Sequence, residues 1–156
     1  MLAADKLLVR PARSGDAEAI VQVHLTARAA AAMPLGIHPD QAVREWLTRR
    51  IEVDEVWVAV DADVIVGYVR FTDAWLNDLY ISPSCARRGI GSKLLQVVKA
   101  QRPAGFSLWV FEMNAPARAF YARHGLVERE HTDGAANEER TPDLRMSWEA
   151  PAETQQ

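Results

Sequence analysis

The stretch Leu79-Tyr80-Ile81-Ser82-Pro83-Ser84-Cys85-Ala86-Arg87-Arg88-Gly89-Ile90-Gly91-Ser92-Lys93-Leu94-Leu95 sets the reading of the whole chain. Strand-forming residues stop at Ser82-Pro83. A loop with two arginines and two glycines follows and feeds a helix whose apolar face is Ile90, Leu94, Val97 and Val98. The main-chain N–H groups of such a loop, with the positive end of the helix dipole, form an anion site. The glycines let an anion approach the main chain, and Arg87, Arg88 and Lys93 add charge. Two other phosphate motifs fail. A P-loop needs Gly-Lys-Ser/Thr, and here Ser92 follows Gly91; the dinucleotide fingerprint needs a third glycine or alanine, and Leu94 stands there.

Downstream, Pro103 and Gly105 end the helix, and Phe106 to Phe111 is a nearly continuous apolar run, the pattern of a strand covered on both faces. Asn114 can N-cap a short helix with Pro116 in its first turn, and Gly125 stands where a C-terminal glycine belongs. Leu126-Val127 and Leu144 to Trp148 read as closing strands. Upstream, Trp75 to Ile81 is a strand, while Glu55–Val60 and Val64–Phe71 flank Asp61-Ala62-Asp63 as a hairpin. Leu7-Leu8-Val9 reads as the first strand, closed by Pro11. Ser14-Gly15-Asp16 starts a helix carrying Ile20, Val23 and Ala27. After the breaker region Ala29 to Pro39, a second helix has Val43, Trp46, Leu47 and Arg50 or Ile51 as its inner stripe. The order β-α-α-β-β-β-α-β-α-β-β predicts an α/β fold: a mixed, mostly antiparallel central sheet with helices on both faces.

The 156 residues fit a single domain over 1–150, followed by a polar tail at 151–156. With 49% apolar and 25% charged residues, the chain is too hydrophobic to be disordered. No run reaches the roughly 20 apolar residues of a membrane span, and Met1 to Arg10 lacks the apolar core of a signal peptide. A cytoplasmic protein with no membrane partner is expected. The 18 basic and 21 acidic side chains give a net charge of −3, which argues against a nucleic-acid partner. The lone Cys85 excludes an internal disulfide and any cysteine-based zinc site, and no metal is expected.

A second informative segment is Leu108-Trp109-Val110-Phe111-Glu112-Met113-Asn114-Ala115-Pro116-Ala117-Arg118-Ala119-Phe120-Tyr121-Ala122-Arg123-His124-Gly125-Leu126. Together the two segments resemble the GNAT (Gcn5-related) superfamily of N-acetyltransferases. The family's coenzyme signature, Arg/Gln-x-x-Gly-x-Gly/Ala between a strand and a helix, corresponds to Ala86-Arg87-Arg88-Gly89-Ile90-Gly91. Its later pattern corresponds to Asn114, Ala117, Phe120-Tyr121 and Gly125-Leu126. The element order matches as well. The first signature position, usually Arg or Gln, is Ala86 here, which removes one side-chain contact but keeps the main-chain cradle.

The resemblance implies an acetyl-CoA cosubstrate bound where two parallel strands splay, at Leu79-Tyr80-Ile81 and Leu108-Trp109-Val110. Main-chain groups at Leu79 and Ile81 would pair with the pantetheine arm as an added strand. The N–H groups of Arg87, Arg88, Gly89, Ile90, Gly91 and Ser92 would hold the pyrophosphate, and Asn114 and Ala117 would line the pantetheine. Tyr121 would protonate the leaving thiolate, and a main-chain N–H in the Leu79–Ile81 zone, Tyr80 included, would stabilise the charge on the carbonyl oxygen. The family fixes no general base. Asp78 and Glu112 are the candidates, with His24 and His38 behind them, because the first helices wall the acceptor site in this family.

Trp75 and Trp46 could line that site. The loop Asp133 to Asp143 could form an acidic rim favouring a cationic amine. Cys85 has no evident base partner and reads as a small half-buried residue, with no nucleophilic role. The resulting expectation is direct transfer of acetyl to a primary amine of a small molecule or peptide, with a homodimer through the last strands implied by the resemblance. Three alternatives stay open: a longer acyl donor or a protein lysine or N-terminus as acceptor; a non-catalytic acyl-CoA sensor; and a phosphate-binding module for another nucleotide.

Overall fold

The computed structural model describes residues 7–151, so the expectations for Met1 to Lys6 and for the tail beyond Pro151 lie outside the described residues. Seven strands and four helices alternate in the expected order: β1 (Leu7–Pro11), α1 (Ala17–Ala30), α2 (Asp40–Val53), β2 (Glu55–Asp61), β3 (Val64–Thr72), β4 (Trp75–Ile81), α3 (Ile90–Gln101), β5 (Phe106–Phe111), α4 (Ala115–Arg123), β6 (Val127–Thr132) and β7 (Asp143–Trp148). The strands form one sheet in the order β1-β2-β3-β4-β5-β7-β6. Every neighbouring pair is antiparallel except β4 and β5. No helix among the described residues is long and apolar enough to cross a membrane.

Local chemistry accounts for the element ends. Ala62 and Asp63 both take positive φ (49° and 69°), the conformation a two-residue hairpin turn needs, and hold it without a glycine. Pro11 is the last residue of edge strand β1 rather than a stop beyond it, since an edge strand tolerates a missing N–H. Ser14-Gly15-Asp16 forms a single 3-10 turn before α1, and the Arg13 N–H donates to the Asp16 carboxylate at 2.7 Å. The Asn114 side chain accepts the Ala117 N–H at the start of α4, and Gly125 follows its end with φ 87°.

The two faces of the sheet carry separate cores. Ile20, Val21 and Val23 of α1 and Leu47 of α2 pack on Val56, Val58 and Tyr68. On the other face Ile90, Leu94, Leu95 and Val98 of α3 and Tyr121 of α4 pack on Val69, Phe71, Leu108 and Met146. Two expectations fail here. In α2 only Leu47 is fully buried; Trp46 is 41% exposed and lies over the Arg70 guanidinium, 5.0 Å from its ring centroid. Strand β5 is not covered on both faces. Phe106, Leu108 and Val110 are buried, while Trp109 is 46% exposed and stacks on Trp75 with the rings 7° from parallel. The apolar run came from a tryptophan pair covering its own ring faces on a bare part of the sheet.

Candidate active site

β4 and β5 share a single register point, Trp75 with Ser107, and then diverge. The divergence leaves one edge of β4 without a protein partner. Its main-chain directions follow from β3: the Ser82 N–H donates to Val66 O at 2.8 Å, so alternate residues Tyr80 and Ser82 bond back to β3. The main-chain groups of Leu79 and Ile81 therefore point into the gap. They can accept an added extended chain. Tyr80 differs from its neighbours: its main chain serves β3 and its side chain packs with the α1-side core.

At the open end of the gap lies the loop into α3. Arg87 (φ 65°) and Gly89 (φ 78°) both take the left-handed conformation and turn successive N–H groups to one side, a concave anion cradle. None of the N–H groups from Arg87 to Ser92 donates to a protein acceptor among the described residues. The helix dipole of α3 points its positive end there. The residues thus fit a pyrophosphate. The two glycines do different work. A Cβ at Gly89 would meet nothing, and its backbone conformation is what matters. A Cβ at Gly91 would come within 3.2 Å of the Phe120 ring, so this glycine lets α4 pack on α3 rather than an anion reach the main chain.

The loop's side chains are partly committed. Arg88 pairs with Asp61 at 2.9 Å, while Arg87 and Lys93 are exposed and free to add charge. The Ser92 hydroxyl donates to His124 Nε2 at 2.8 Å, and His124 Nδ1–H donates to Phe120 O at 2.8 Å. Ser92 can offer a ligand only its main-chain N–H. Replacing Ser92 by Ala should therefore cost about 1 kcal/mol of stability through the lost His124 bond, yet leave coenzyme affinity within about twofold, as calorimetry would show.

Tyr121 of α4 packs in the α3-side core. It is 8% exposed, and burial pushes its phenol well above the usual tyrosine range, with Tyr80 and Asp78 adding to the push. No described residue hydrogen-bonds it, and no side-chain oxygen or nitrogen sealed from solvent lacks a partner, so the hydroxyl keeps some contact with solvent. Protonated across the physiological range, it can donate a proton but not accept one.

Beyond the gap, α1, α2, the α1–α2 connection, β4 and the β6–β7 loop enclose a cavity of about 830 Å³. His24, Arg28, Asp78 and Tyr80 line it, together with the exposed Leu35, Ile37 and Trp46 and with Glu138 and Glu139 of the β6–β7 loop. Asp78 is buried and already bonded: Arg70 Nε donates to its Oδ2 at 2.7 Å and the Tyr68 hydroxyl to the same oxygen at 3.1 Å. Arg70 also donates to Asp54 at 2.7 Å, and Asp54 pairs with Arg50 at 2.5 Å. As a base, Asp78 would have to give up an ion pair. The arrangement makes it an anchor instead.

Glu112 lies exposed in the turn after β5 and is not among the cavity's lining residues, so the structure does not bring it together with Asp78. Trp75 is held by Trp109 and also lies outside the cavity, whereas Trp46 lines it. The β6–β7 loop is not a free acidic rim. Glu139 pairs with Arg28 at 3.4 Å and Glu138 with His38 at 3.3 Å; Asp133 accepts the Ala135 N–H, and Asp143 is buried against the Thr132 hydroxyl. Cys85 is half-buried and packs against the α3-side core. Sequence reading did not single out Tyr68, Arg70 or Arg28.

Residues 52–128, from the end of α2 into β6, match the model of the acetyltransferase (GNAT) domain. A curated relative, the peptidyl-lysine N-acetyltransferase YiaC of Escherichia coli K12, is 32% identical over 95 residues, which are 59% of this chain and 62% of that protein. The chain thus spans under two thirds of that relative's length. Among solved structures, apo YjaB from Escherichia coli superposes with a TM-score of 0.76 at 20% identity, over 93% of this chain and 99% of that one. The yncA structure from Salmonella typhimurium, solved with its cofactor acetyl-CoA, gives 0.70 at 20% identity, over 96% and 97%. At such identities the structures speak for the fold. Taken with the sequence match over the strand, cradle and cap of both halves of the gap, they place this chain in the GNAT superfamily of acetyltransferases.

Proposed function

We propose that this protein binds acetyl-CoA in the gap between β4 and β5 and transfers the acetyl group directly to a primary amine held in the α1–α2 cavity. One observation supports this reading above the others: the divergence of β4 and β5 leaves the main chain of Leu79 and Ile81 unpaired next to an unpaired N–H cradle, while Asp78 and Tyr80 of the same strand line a separate cavity. When bound, acetyl-CoA supplies an activated thioester. The N–H groups of Arg87 to Ser92 hold its pyrophosphate, the main chain of Leu79 and Ile81 aligns its arm, and Asn114 and Ala117 flank it. An N–H of the β4 edge stabilises the charge that grows on the carbonyl oxygen. Tyr121 gives its proton to the sulfur as the C–S bond breaks.

The test is CoA release from acetyl-CoA in the presence of a panel of primary amines. Amine-dependent release is expected. Coenzyme binding with no release by any amine would favour the sensor reading. A peptide lysine is the second acceptor reading, favoured because the relative YiaC acts on peptidyl lysine. We place the protein in the cytoplasm and pair it as a homodimer through β6, whose outer edge is open in the sheet.

A further inference from the structure

His24 lies on the cavity side of α1 and is only 6% exposed. Its Nδ1 sits 2.7 Å from the Tyr68 hydroxyl. That hydroxyl has one proton, and the ionised Asp78, 3.1 Å away, can only accept. Tyr68 must therefore donate to Asp78 and accept from His24. The chain of bonds fixes the histidine as the Nδ1–H tautomer and leaves the Nε2 lone pair without a protein partner. Nε2 is not sealed from solvent either, since no closed-off side-chain nitrogen or oxygen lacks a bond. It opens into the cavity, beside Tyr80, whose ring meets the imidazole edge-on at 5.0 Å between centroids.

We infer that His24 is the general base that takes the proton from the attacking amine, with Tyr68 and Asp78 as positioning residues that hold its tautomer. This rests on the acetyl-transfer reading of the same site. Nε2 takes a proton from the bound ammonium so that the neutral amine can attack; the second N–H proton leaves the tetrahedral adduct to solvent, Tyr121 supplies a proton to the sulfur as the C–S bond breaks, and solvent returns His24 and Tyr121 to their starting states. The groups around His24 suit the role. Burial lowers its affinity for a proton, Asp78 of β4 opposes that, and Arg28 of α1 and Arg70 of β3 add to it. Tyr68 and Tyr80 face it from β3 and β4; Asp40 of α2 lines the same cavity, as do His38 and Glu138, which pair with each other, and Glu139 of the β6–β7 loop is spent on Arg28. The imidazole is neutral at pH 7, as a base must be, and the Asp78 charge reaches it through Tyr68 once it is protonated.

The experiment compares wild type with His24→Gln, which keeps a donor for Tyr68 but cannot titrate, and with Tyr68→Phe. Two probes serve as acceptors: a blocked lysine tripeptide, protonated at pH 7, and hydroxylamine, already neutral there. His24→Gln should lower kcat with the tripeptide about 100-fold and with hydroxylamine less than about fivefold. The wild-type kcat/KM profile should fall by one additional proton below about pH 6.5, and that limb should vanish in His24→Gln. Tyr68→Phe should keep the limb and move its midpoint. The acetyl-CoA-induced thermal shift, which reports the other face, should be unchanged in both variants. Equal losses with the two probes, or an intact acid limb in His24→Gln, would overturn the assignment. Wild type that binds acetyl-CoA but acetylates neither probe would overturn the acetyl-transfer reading and the base with it.

Discussion

Tyr121→Phe should bind acetyl-CoA as wild type does and lose roughly 100-fold in kcat. The ring sits in the α3-side core and keeps its packing when the oxygen is removed, so stability changes little. The hydroxyl itself makes no bond to a described residue, so no buried partner is left unsatisfied. The loss falls on the one step that needs a proton at the sulfur, where a positioned acid is worth about 10²–10⁴ in rate. Because burial raises this phenol, its ionisation adds no basic limb to the wild-type profile below about pH 10. Steady-state kinetics beside a calorimetric titration with acetyl-CoA would check both halves. A parallel loss of coenzyme affinity would make Tyr121 a binding residue instead.

Arg70→Met should be the most destabilising single change in the acceptor half. Arg70 is buried and holds two carboxylates, Asp54 at 2.7 Å and Asp78 at 2.7 Å. Met fills the stem volume but leaves Asp78 without an ion partner in the interior. Breaking one side of a buried pair costs about 3–5 kcal/mol, or roughly 6–20 °C in Tm for a domain of this size. The pH dependence has a definite sign. Arg50 and Arg70 hold the Asp54 carboxyl below the usual range against the opposing effect of burial. Its contribution is present above about pH 4, the ordinary carboxylate value, and is lost as pH falls through the lower folded value. The gap in Tm between wild type and Arg70→Met should therefore be widest near neutrality and shrink below pH 4. Thermal melts across that range would show it.

Much of this was legible in the chain. The hydrophobic periods of Ile90 to Val98 and Ile20 to Ala27, the caps Asn114 and Gly125, and the breaker at Ser82-Pro83 placed the elements, because each is a local rule obeyed locally. The cradle was legible for the same reason: a strand, a glycine loop and a helix start are consecutive in sequence. What was not legible depended on register. Near the β3–β4 turn, Phe71 pairs with Leu76, and uninterrupted pairing would set Arg70 opposite Asn77. A bulge between Arg70 and Phe71 sets it opposite Asp78 instead. That one-residue shift creates the Arg70–Asp78 pair and occupies the carboxylate that looked like a base; the base proposed in its place, His24, stands on α1 instead of on the strand. Trp109 misled for a related reason: an apolar residue on a bare sheet face reads like a core residue until its neighbour across the sheet, Trp75, is known.

The proposed function requires that the gap between β4 and β5 take acetyl-CoA through the cradle of Arg87 to Ser92. Thermal melts with acetyl-CoA, free CoA and ATP test this most directly. A ligand at 100 times its Kd adds about 2.7 kcal/mol, which is roughly 5–10 °C for a chain of this length. Such a rise is expected with acetyl-CoA and with CoA, and little with ATP, which has no arm to lie along Leu79 and Ile81. No rise with acetyl-CoA up to millimolar concentration, or an equal rise with ATP, would contradict the proposed function.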